Sequence, residues 1–340
     1  MTTKNNPISI GGAVSSALRC VRADVKQFCA VLAVALLAAA SAAGAGETRP
    51  EAKAVTSAPA PQVKLLEAGA GPRKKLRLHP KPGDKQTVDM TFKIAMDIQT
   101  GESASQPMKM PAMKMTTDVT IKGVSSDGNI TYEMVMTDVS VADDTNATPE
   151  VVEGMKSSLA GLKGLSGAGV MSDRGINQGI EMKAPTNASP QLVQALEQAK
   201  ETFSTMTAPL PEEAVGPGAR WEFKQPIKSQ GMTIDQTSAS QLVSFDGERV
   251  STKNTILQSA SNQKIQNPAM EGLQLNLTKM AGNGKGNTTV DLRKLLPVKA
   301  TADVHTEFSM EMEMGGQKTT MTTKMDMTIG IESRGSVPES

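Results

Sequence analysis

Strict alternation of apolar and polar side chains is the feature that most limits what this chain can fold into. A period of two sends successive side chains to opposite faces of a β-sheet, and alternation on one side only is typical of antiparallel strands with one dry face. The first alternating segment has its apolar residues at Val88, Met90, Phe92, Ile94, Met96 and Ile98. Further alternating segments occupy residues 113–121, 304–314 and 321–331. The sequence therefore predicts a mainly β, antiparallel fold.

Turn residues between these segments predict how the strands are connected. Gly315-Gly316 separates two alternating segments and suits a two-residue hairpin, since both glycines tolerate positive φ. Residues 170–182 form another candidate hairpin. Asp127-Gly128 and Asp246-Gly247 each lead into a strand after a similar sequence. We infer two related β units, about residues 72–182 and 210–333, although Asp-Gly turns are common wherever strands reverse.

Two helices are expected between the strands. Thr148-Pro149 and Ser189-Pro190 each combine a capping residue with a proline suited to the first helical turn. Apolar residues recur on one face of each following segment, so each helix must bury that face. The fold class predicted is a curved, half-barrel-like antiparallel sheet with two amphipathic helices packed on its apolar face.

The N-terminal region resembles a secretory signal in composition. Basic residues precede an apolar run over residues 28–40, and small residues end at Ala45. We expect a cleavable signal peptide at 1–45, a flexible Ala/Pro-rich linker at 46–71, the β domain at 72–333 and a disordered tail at 334–340. A retained N-terminal anchor is the alternative. No later apolar run is long enough for a transmembrane helix, so none is expected in the mature chain.

Export would also change the chemistry of the chain. Both cysteines, Cys20 and Cys29, lie within the expected signal, so the mature protein would have no thiol or disulfide. Residues 1–45 hold four basic and one acidic side chain, leaving 32 basic and 34 acidic beyond them. That balance, without basic clusters beside aromatic residues, argues against a nucleic-acid partner. The expected location is periplasmic or extracellular. The sequence does not indicate a protein partner.

Methionine is the residue type most relevant to ligand binding. The chain has 22 methionines but only 2% aromatic residues. Unbranched thioethers fit flexible apolar ligands, although they also serve as core filler. If the dry face binds an apolar small molecule or lipid, the predicted lining is Met96, Met115, Met134, Met155, Met312 and Met325.

A copper site is the alternative interpretation of the methionines. Met108, Met110, Met113 and Met115 resemble the methionine motifs of exported copper-handling proteins, because thioethers select Cu(I). The resemblance covers only short runs of sequence. A second run, Met310, Met312 and Met314, has His305 as its nearest histidine, but the alternation places His305 on the opposite face of the strand.

Catalytic patterns are weak. His79 and His305 are the only histidines, and neither stands in a triad or a metal-ligand spacing. Gly282-Asn283-Gly284-Lys285-Gly286 fails as a phosphate loop because no Ser or Thr follows the lysine, and we interpret it as an ordinary loop. We expect neither enzymatic activity nor a cofactor.

Residues 210–221, with Trp221 entering a strand after two prolines and paired glycines, add a family resemblance. Together with the export signal, the Met-rich hairpins and residues 284–297, this segment resembles a family of uncharacterised exported bacterial proteins. The overall plan is also similar to the half-barrels of periplasmic lipoprotein carriers. Three hypotheses follow: a binding protein for a lipid-like ligand, a copper-binding envelope protein, or a structural envelope protein.

Overall fold

The computed structural model describes residues 62–142, 147, 149–183, 209–229, 232–265, 274–314 and 317–335. These residues form one large antiparallel sheet of 13 strands, which is not closed, so the predicted β class is confirmed. The strands are β1 (Gln62–Glu67), β2 (Lys85–Thr100), β3 (Gln106–Lys109), β4 (Met113–Val124), β5 (Ile130–Val141), β6 (Ser166–Met171), β7 (Asn177–Lys183), β8 (Arg220–Ser229), β9 (Met232–Asp246), β10 (Arg249–Ile265), β11 (Gln274–Asp291), β12 (Lys299–Met314) and β13 (Gln317–Ser333).

The strand order shows how the chain builds the sheet. It runs β1, β8, β9, β10, β11, β12, β13, β2, β4, β5, β6, β7, and β3 pairs with β2 beside β4. Strands β8 to β13 therefore form one meander, and the shorter strands β4 to β7 form another. The two halves meet where β13 pairs with β2 from Met321↔Thr100 to Ser333↔Val88. The proposed internal relationship between the halves stays a prediction.

Alternation in the sequence becomes alternation of burial in the strands. In β2, all six apolar residues of the first alternating segment are buried, and the residues between them are not. We call the side of the sheet that bears these buried residues the inner face. The predicted hairpin at Gly315-Gly316 agrees with the pairing of Met314 with Gln317 at the end of β12 and β13.

One continuous cluster of buried residues unites the inner face. It includes Trp221 on β8, Leu277 on β11, Met325 on β13 and Tyr132 on β5. Trp221 is a core anchor, as predicted, and its indole N–H donates to the carbonyl of Pro209 at 3.1 Å. Because strands far apart in the sheet order share this cluster, the two halves have a common core.

The chain between β1 and β2 bridges the two ends of the sheet order. Ala70 N–H donates to the Pro217 carbonyl beside β8, at one end. Leu78 N–H donates to the carbonyl of Asp173, in the turn between β6 and β7 at the other end. His79 N–H donates to the Leu292 carbonyl after β11. We call residues 68–80 the crossing segment.

The helical prediction requires a correction. The first predicted helix forms as α1 (Pro149–Leu159), followed by a short 3-10 turn, Ala160–Leu162. Its Met155 and Leu159 are buried in the common core, and α1 lies next to β5. The second predicted helix, after Ser189-Pro190, falls outside the described residues. The described part of the chain has this one short helix instead of two, and contains no helix long and apolar enough to span a membrane.

Two boundaries and one strand assignment also differ from the sequence prediction. Strand β1 lies within the expected linker and pairs with β8, because Val63 and Leu65 pack against the core. Arg334, assigned to the tail, donates to the Thr87 carbonyl and to Asp89. The glycine-rich segment 282–286 is not a loop but part of β11.

Glycine in this part of β11 serves close packing. A Cβ on Gly284 would come within 3.0 Å of the Asp303 carbonyl oxygen and of a Val304 methyl group. A Cβ on Gly282 would meet side chains of β10 and β12 at 3.0–3.2 Å. Glycine inside a strand commonly marks such a bend or close approach, so these residues allow β11 to continue where a loop was expected.

Candidate functional site

Five of the six methionines predicted to line a ligand site lie on the inner face of the sheet, and the sixth, Met155, reaches the same core from α1. Met155 and four of the others are buried in the common core, and Met115 is half-buried against it. Their places are Met96 on β2, Met115 on β4, Met134 on β5, Met155 on α1, Met312 on β12 and Met325 on β13. The structure therefore brings together residues that lie up to 229 positions apart in the sequence.

Direct cross-strand pairing concentrates the thioethers further. Met325 lies opposite Met96, which in turn lies opposite Met108 on β3. Met310 lies opposite Met321, and Met90 lies opposite Met115. Side chains opposite each other on one face have Cβ atoms about 4.5–5.5 Å apart, so these pairs are in contact range. The result is a band of flexible, polarisable side chains across β12, β13, β2, β3 and β4.

The register separates the methionines of the copper hypothesis. Met108 faces Met96, whereas Met115 faces Met90, six residues away along β2. At about 3.3 Å per residue this spacing is about 20 Å, which exceeds what two thioethers can span to bind one ion. Met110 and Met113 are buried between them, beside Ile94 and opposite Phe92.

A row of polar residues crosses the inner face and was not predicted. Pairing places Gln225 of β8 opposite Gln236 of β9, and Gln236 opposite Gln258 of β10. Gln258 is opposite Gly282 of β11, which is opposite Thr306 of β12. We call these five residues the polar row. Thr306 is opposite Met325, so the row continues directly into the methionine pair Met325–Met96.

Burial changes along the polar row. Gln236 and Gln258 are half-buried, whereas Thr306 is only 1% exposed and Met325 is equally buried. Other inner positions of β10, Asn254 and Ile256, are also half-buried. The inner face is thus partly exposed around Gln236 and the middle of β10, and closed at β12, β13 and β2; Gln225, at the β8 end of the row, is buried.

Two atoms of the polar row have no hydrogen-bond partner. Gln258 donates from Nε2 to Oε1 of Gln236 at 2.8 Å, but its own Oε1 accepts nothing. The Thr306 hydroxyl is also unpartnered. Both atoms lie 3.0–3.1 Å from the point that a Cβ of Gly282 would occupy. The free acceptor of Gln258 and the free hydroxyl of Thr306 therefore both lie close to Gly282, where a larger residue would crowd them.

Unpartnered hydroxyls also occur outside the polar row. Thr117, Tyr132 and Thr323 are buried and their hydroxyls have no partner, and burial raises the pKa of the Tyr132 phenol well above its usual range. Asp291 is the buried charged side chain among the described residues, and hydrogen bonds from Arg293 lower the pKa of its carboxyl. The inner part of the polar row has no charged member.

Each of the two histidines forms a hydrogen bond with a carboxylate on the surface. His79 lies 2.9 Å from Glu248, and His305 lies 2.7 Å from Asp326. In the described ranges, no group of three or more His, Cys, Asp or Glu side chains is arranged to hold a metal ion. A cleft beside Gln86, between Asp84 and Arg293, has an empty volume of about 170 Å³, which is small for a lipid-sized ligand.

Comparison with known proteins gives no family assignment. No protein-family model matches the chain, and no curated protein matches it in sequence. Among solved structures, OmpT of Vibrio cholerae lacking loop L8, an outer membrane protein, is 6% identical with a TM-score of 0.17, over 73% of this chain and 99% of that one. OccK8 (OprE) of Pseudomonas aeruginosa is 6% identical with a TM-score of 0.14, over 75% and 99%. Such low TM-scores support no inference about fold or function.

Proposed function

We propose that this chain is an exported, non-enzymatic protein that binds an apolar, lipid-like molecule on the inner face of a curved, half-barrel-like sheet. The observation that supports this most directly is the band of methionine pairs, Met310–Met321, Met325–Met96 and Met96–Met108. A core built only for stability needs well-defined rotamers, which leucine, isoleucine and phenylalanine provide better than methionine. Methionine is instead favoured at surfaces that adapt to flexible ligands.

Curvature of the sheet is part of this proposal. One core is shared by strands from both halves, and the crossing segment is bonded to both ends of the strand order. Glycines at the inner positions of β11 permit the close approach that bending requires. A sheet bent in this way would enclose its apolar face, as in the half-barrels of the periplasmic lipoprotein carriers, to which the overall plan is similar.

The first experiment is native mass spectrometry of the protein purified from the envelope of a bacterial host, followed by titration with a fluorescent fatty acid. We expect a co-purified mass in the lipid range and uptake of the probe at one molecule per chain. Absence of both would overturn the proposal and favour a purely structural envelope role.

A second experiment tests the methionine band itself. Met96, Met310 and Met325 are replaced together by leucine, which retains apolar character and similar volume but loses flexibility. We expect probe uptake to weaken about tenfold while the unfolding midpoint changes little. The matched control is Met136→Leu with Met182→Leu, since these residues pack around Leu165 in a small cluster that contains none of the three replaced methionines. Equal loss of uptake in both variants would contradict a role for the band.

A further inference from the structure

The polar row ends in unsatisfied hydrogen-bonding atoms that the fold itself does not use. A buried hydroxyl or amide oxygen without a partner loses its interaction with water and gains nothing in return. Thr306 incurs this cost at 1% exposure, although valine would fit the same position without a polar atom. Gln258 incurs it at Oε1, although its Nε2 is bonded to Gln236.

The position of these atoms relates them to the methionine band. Thr306 lies opposite Met325, so the polar row and the band form one continuous line across the inner face. Within the polar row, Gln236 and Gln258 are half-buried and Gln225 is buried, and the Met325 and Met96 end of the line is buried. A line with a polar, partly exposed part at Gln236 and Gln258 and an apolar, closed part at Met325 and Met96 matches a molecule with a polar head and an apolar chain.

We propose that Gln258 and Thr306, which lie on either side of Gly282, form a subsite for the head group of an uncharged, hydroxyl-bearing lipid. This inference rests on the proposed function. The Gln258 Oε1 atom is an acceptor and requires a donor, which a ligand hydroxyl supplies. The Thr306 hydroxyl donates to the ligand oxygen. The acyl or alkyl chain then extends from Thr306 along Met325 and Met96.

The charge distribution selects against an ionised head group. No lysine, arginine or histidine is a member of the polar row, and a carboxylate buried there would lack a counter-ion. A fatty acid anion would therefore bind this subsite less well than the corresponding alcohol. Its uptake would depend on the methionine band alone.

The test compares three ligands of equal chain length that differ only at the head: 1-dodecanol, its methyl ether and dodecanoate. Each displaces the uncharged fluorescent probe N-phenyl-1-naphthylamine from the full-length protein. The ether retains the oxygen but cannot donate, so it isolates the bond to Gln258. We expect dodecanol to bind about tenfold more tightly than either competitor, as one buried hydrogen bond would produce.

Variants assign this preference to the polar row. In Gln258→Met, the preference for the alcohol over the ether should fall to threefold or less. Thr306→Val removes a donor that both ligands can use, so it should weaken both about tenfold and leave their ratio as in the parent. The Thr306→Val protein should also be no less stable to heat than the parent, because an unpaired hydroxyl has been removed. Thr323→Val is the matched control: its hydroxyl is equally buried and unpartnered, but it lies opposite Phe308, outside the row.

The outcomes separate the two proposals. Equal affinities for the alcohol and its ether in the parent protein would overturn the subsite and leave the proposed function intact. Loss of the preference in Thr323→Val as well would overturn its assignment to the polar row. If the probe and all three ligands failed to bind, the proposed function would fall and the subsite with it.

Discussion

At the scale of single residues, the inner face depends on glycines where a neighbouring side chain needs room. Tyr132 on β5 is fully buried and lies opposite Gly169 on β6. A Cβ on Gly169 would come within 2.8 Å of the Tyr132 hydroxyl oxygen and 2.7 Å of the Gly179 carbonyl oxygen. The tyrosine ring therefore occupies space that only glycine leaves free.

Gly169→Ala tests this close packing. We expect it to lower the free energy of unfolding by about 1–3 kcal/mol, because the ring and the β7 backbone must both move. Gly179→Ala, in the paired strand, is the control, since nothing lies within 4 Å of its Cβ position. Urea unfolding followed by the fluorescence of Trp221 measures both. Equal destabilisation by the two variants would contradict the explanation.

Asp89 on β2 provides a second residue-scale prediction. Burial opposes its ionisation, but hydrogen bonds from Arg334, Thr116 and Lys114 outweigh burial and lower the pKa to about 2 from 3.8. A lowered pKa means that the folded state prefers the ionised form, so this stabilisation is complete above pH 4 and disappears as the pH falls towards 2.

Asp89→Asn should therefore cost about 2 kcal/mol at neutral pH, and the difference from the parent should vanish near pH 2. Denaturant unfolding at a series of pH values measures this difference. Asp326→Asn is the control: its carboxylate is 73% exposed and pairs only with His305 in the described structure, so little change is expected. A pH-independent deficit in Asp89→Asn would show that the ion pairs are not its cause.

At the scale of elements, the sequence predicted strands that alternate strictly and missed elements whose pattern is short or interrupted. Strands β2, β4, β12 and β13 have four or more inward apolar residues, which makes the period of two unambiguous. Strand β1 has only Val63 and Leu65 in an Ala/Pro-rich region. In β11, the inward positions 282 and 284 are glycines, so the alternation of apolar residues is interrupted there. Packing against β10 and β12 nevertheless maintains the strand.

The candidate site was predictable only in part, for a related reason. Alternation within a single strand shows whether a methionine faces inward, so it was enough to predict the lining residues. The polar row depends on register between strands: Gln236, Gln258 and Thr306 come together only through pairings that span 22 to 24 residues each. A glutamine at an inward position was the available signal, and alternation alone does not reveal which residue it faces.

Strand β1 carries the element-scale prediction. Leu65 packs partly buried against the core, whereas the adjacent Leu66 is 42% exposed. We expect Leu65→Ala to lower the free energy of unfolding by about 1–2 kcal/mol, and Leu66→Ala to change it by less than about 0.5 kcal/mol. Hydrogen exchange of the β8 backbone amides, followed with urea unfolding, should show faster opening in Leu65→Ala. Equal effects of the two substitutions would indicate that residues 62–67 act as a linker and do not contribute to the core.

At the scale of the whole molecule, the crossing segment joins the two ends of the strand order through Arg77. Its guanidinium donates to the Pro211 carbonyl at 2.9 Å and to both the carbonyl and a carboxylate oxygen of Glu212, and it lies 3.3 Å from Asp173. Asp173 belongs to the turn before β7, and Pro211 and Glu212 precede β8. The charge of Arg77 lowers the pKa of the Glu212 carboxyl, so this contact weakens as the pH falls below the usual range of a glutamate.

Arg77→Met should therefore uncouple the two halves of the sheet as well as destabilise the protein. The sequence has one tryptophan and one tyrosine, Trp221 on β8 and Tyr132 on β5, so fluorinated analogues would give one ¹⁹F signal in each half. In the parent, both signals should disappear at the same urea concentration, because the halves share one core. In Arg77→Met, the Tyr132 signal should disappear first, since β4 to β7 are the shorter strands.

The control is Arg220→Met, which removes an exposed ion pair with Glu67 and should leave the two transitions coincident. Coincident transitions in Arg77→Met would mean that the common core alone couples the halves.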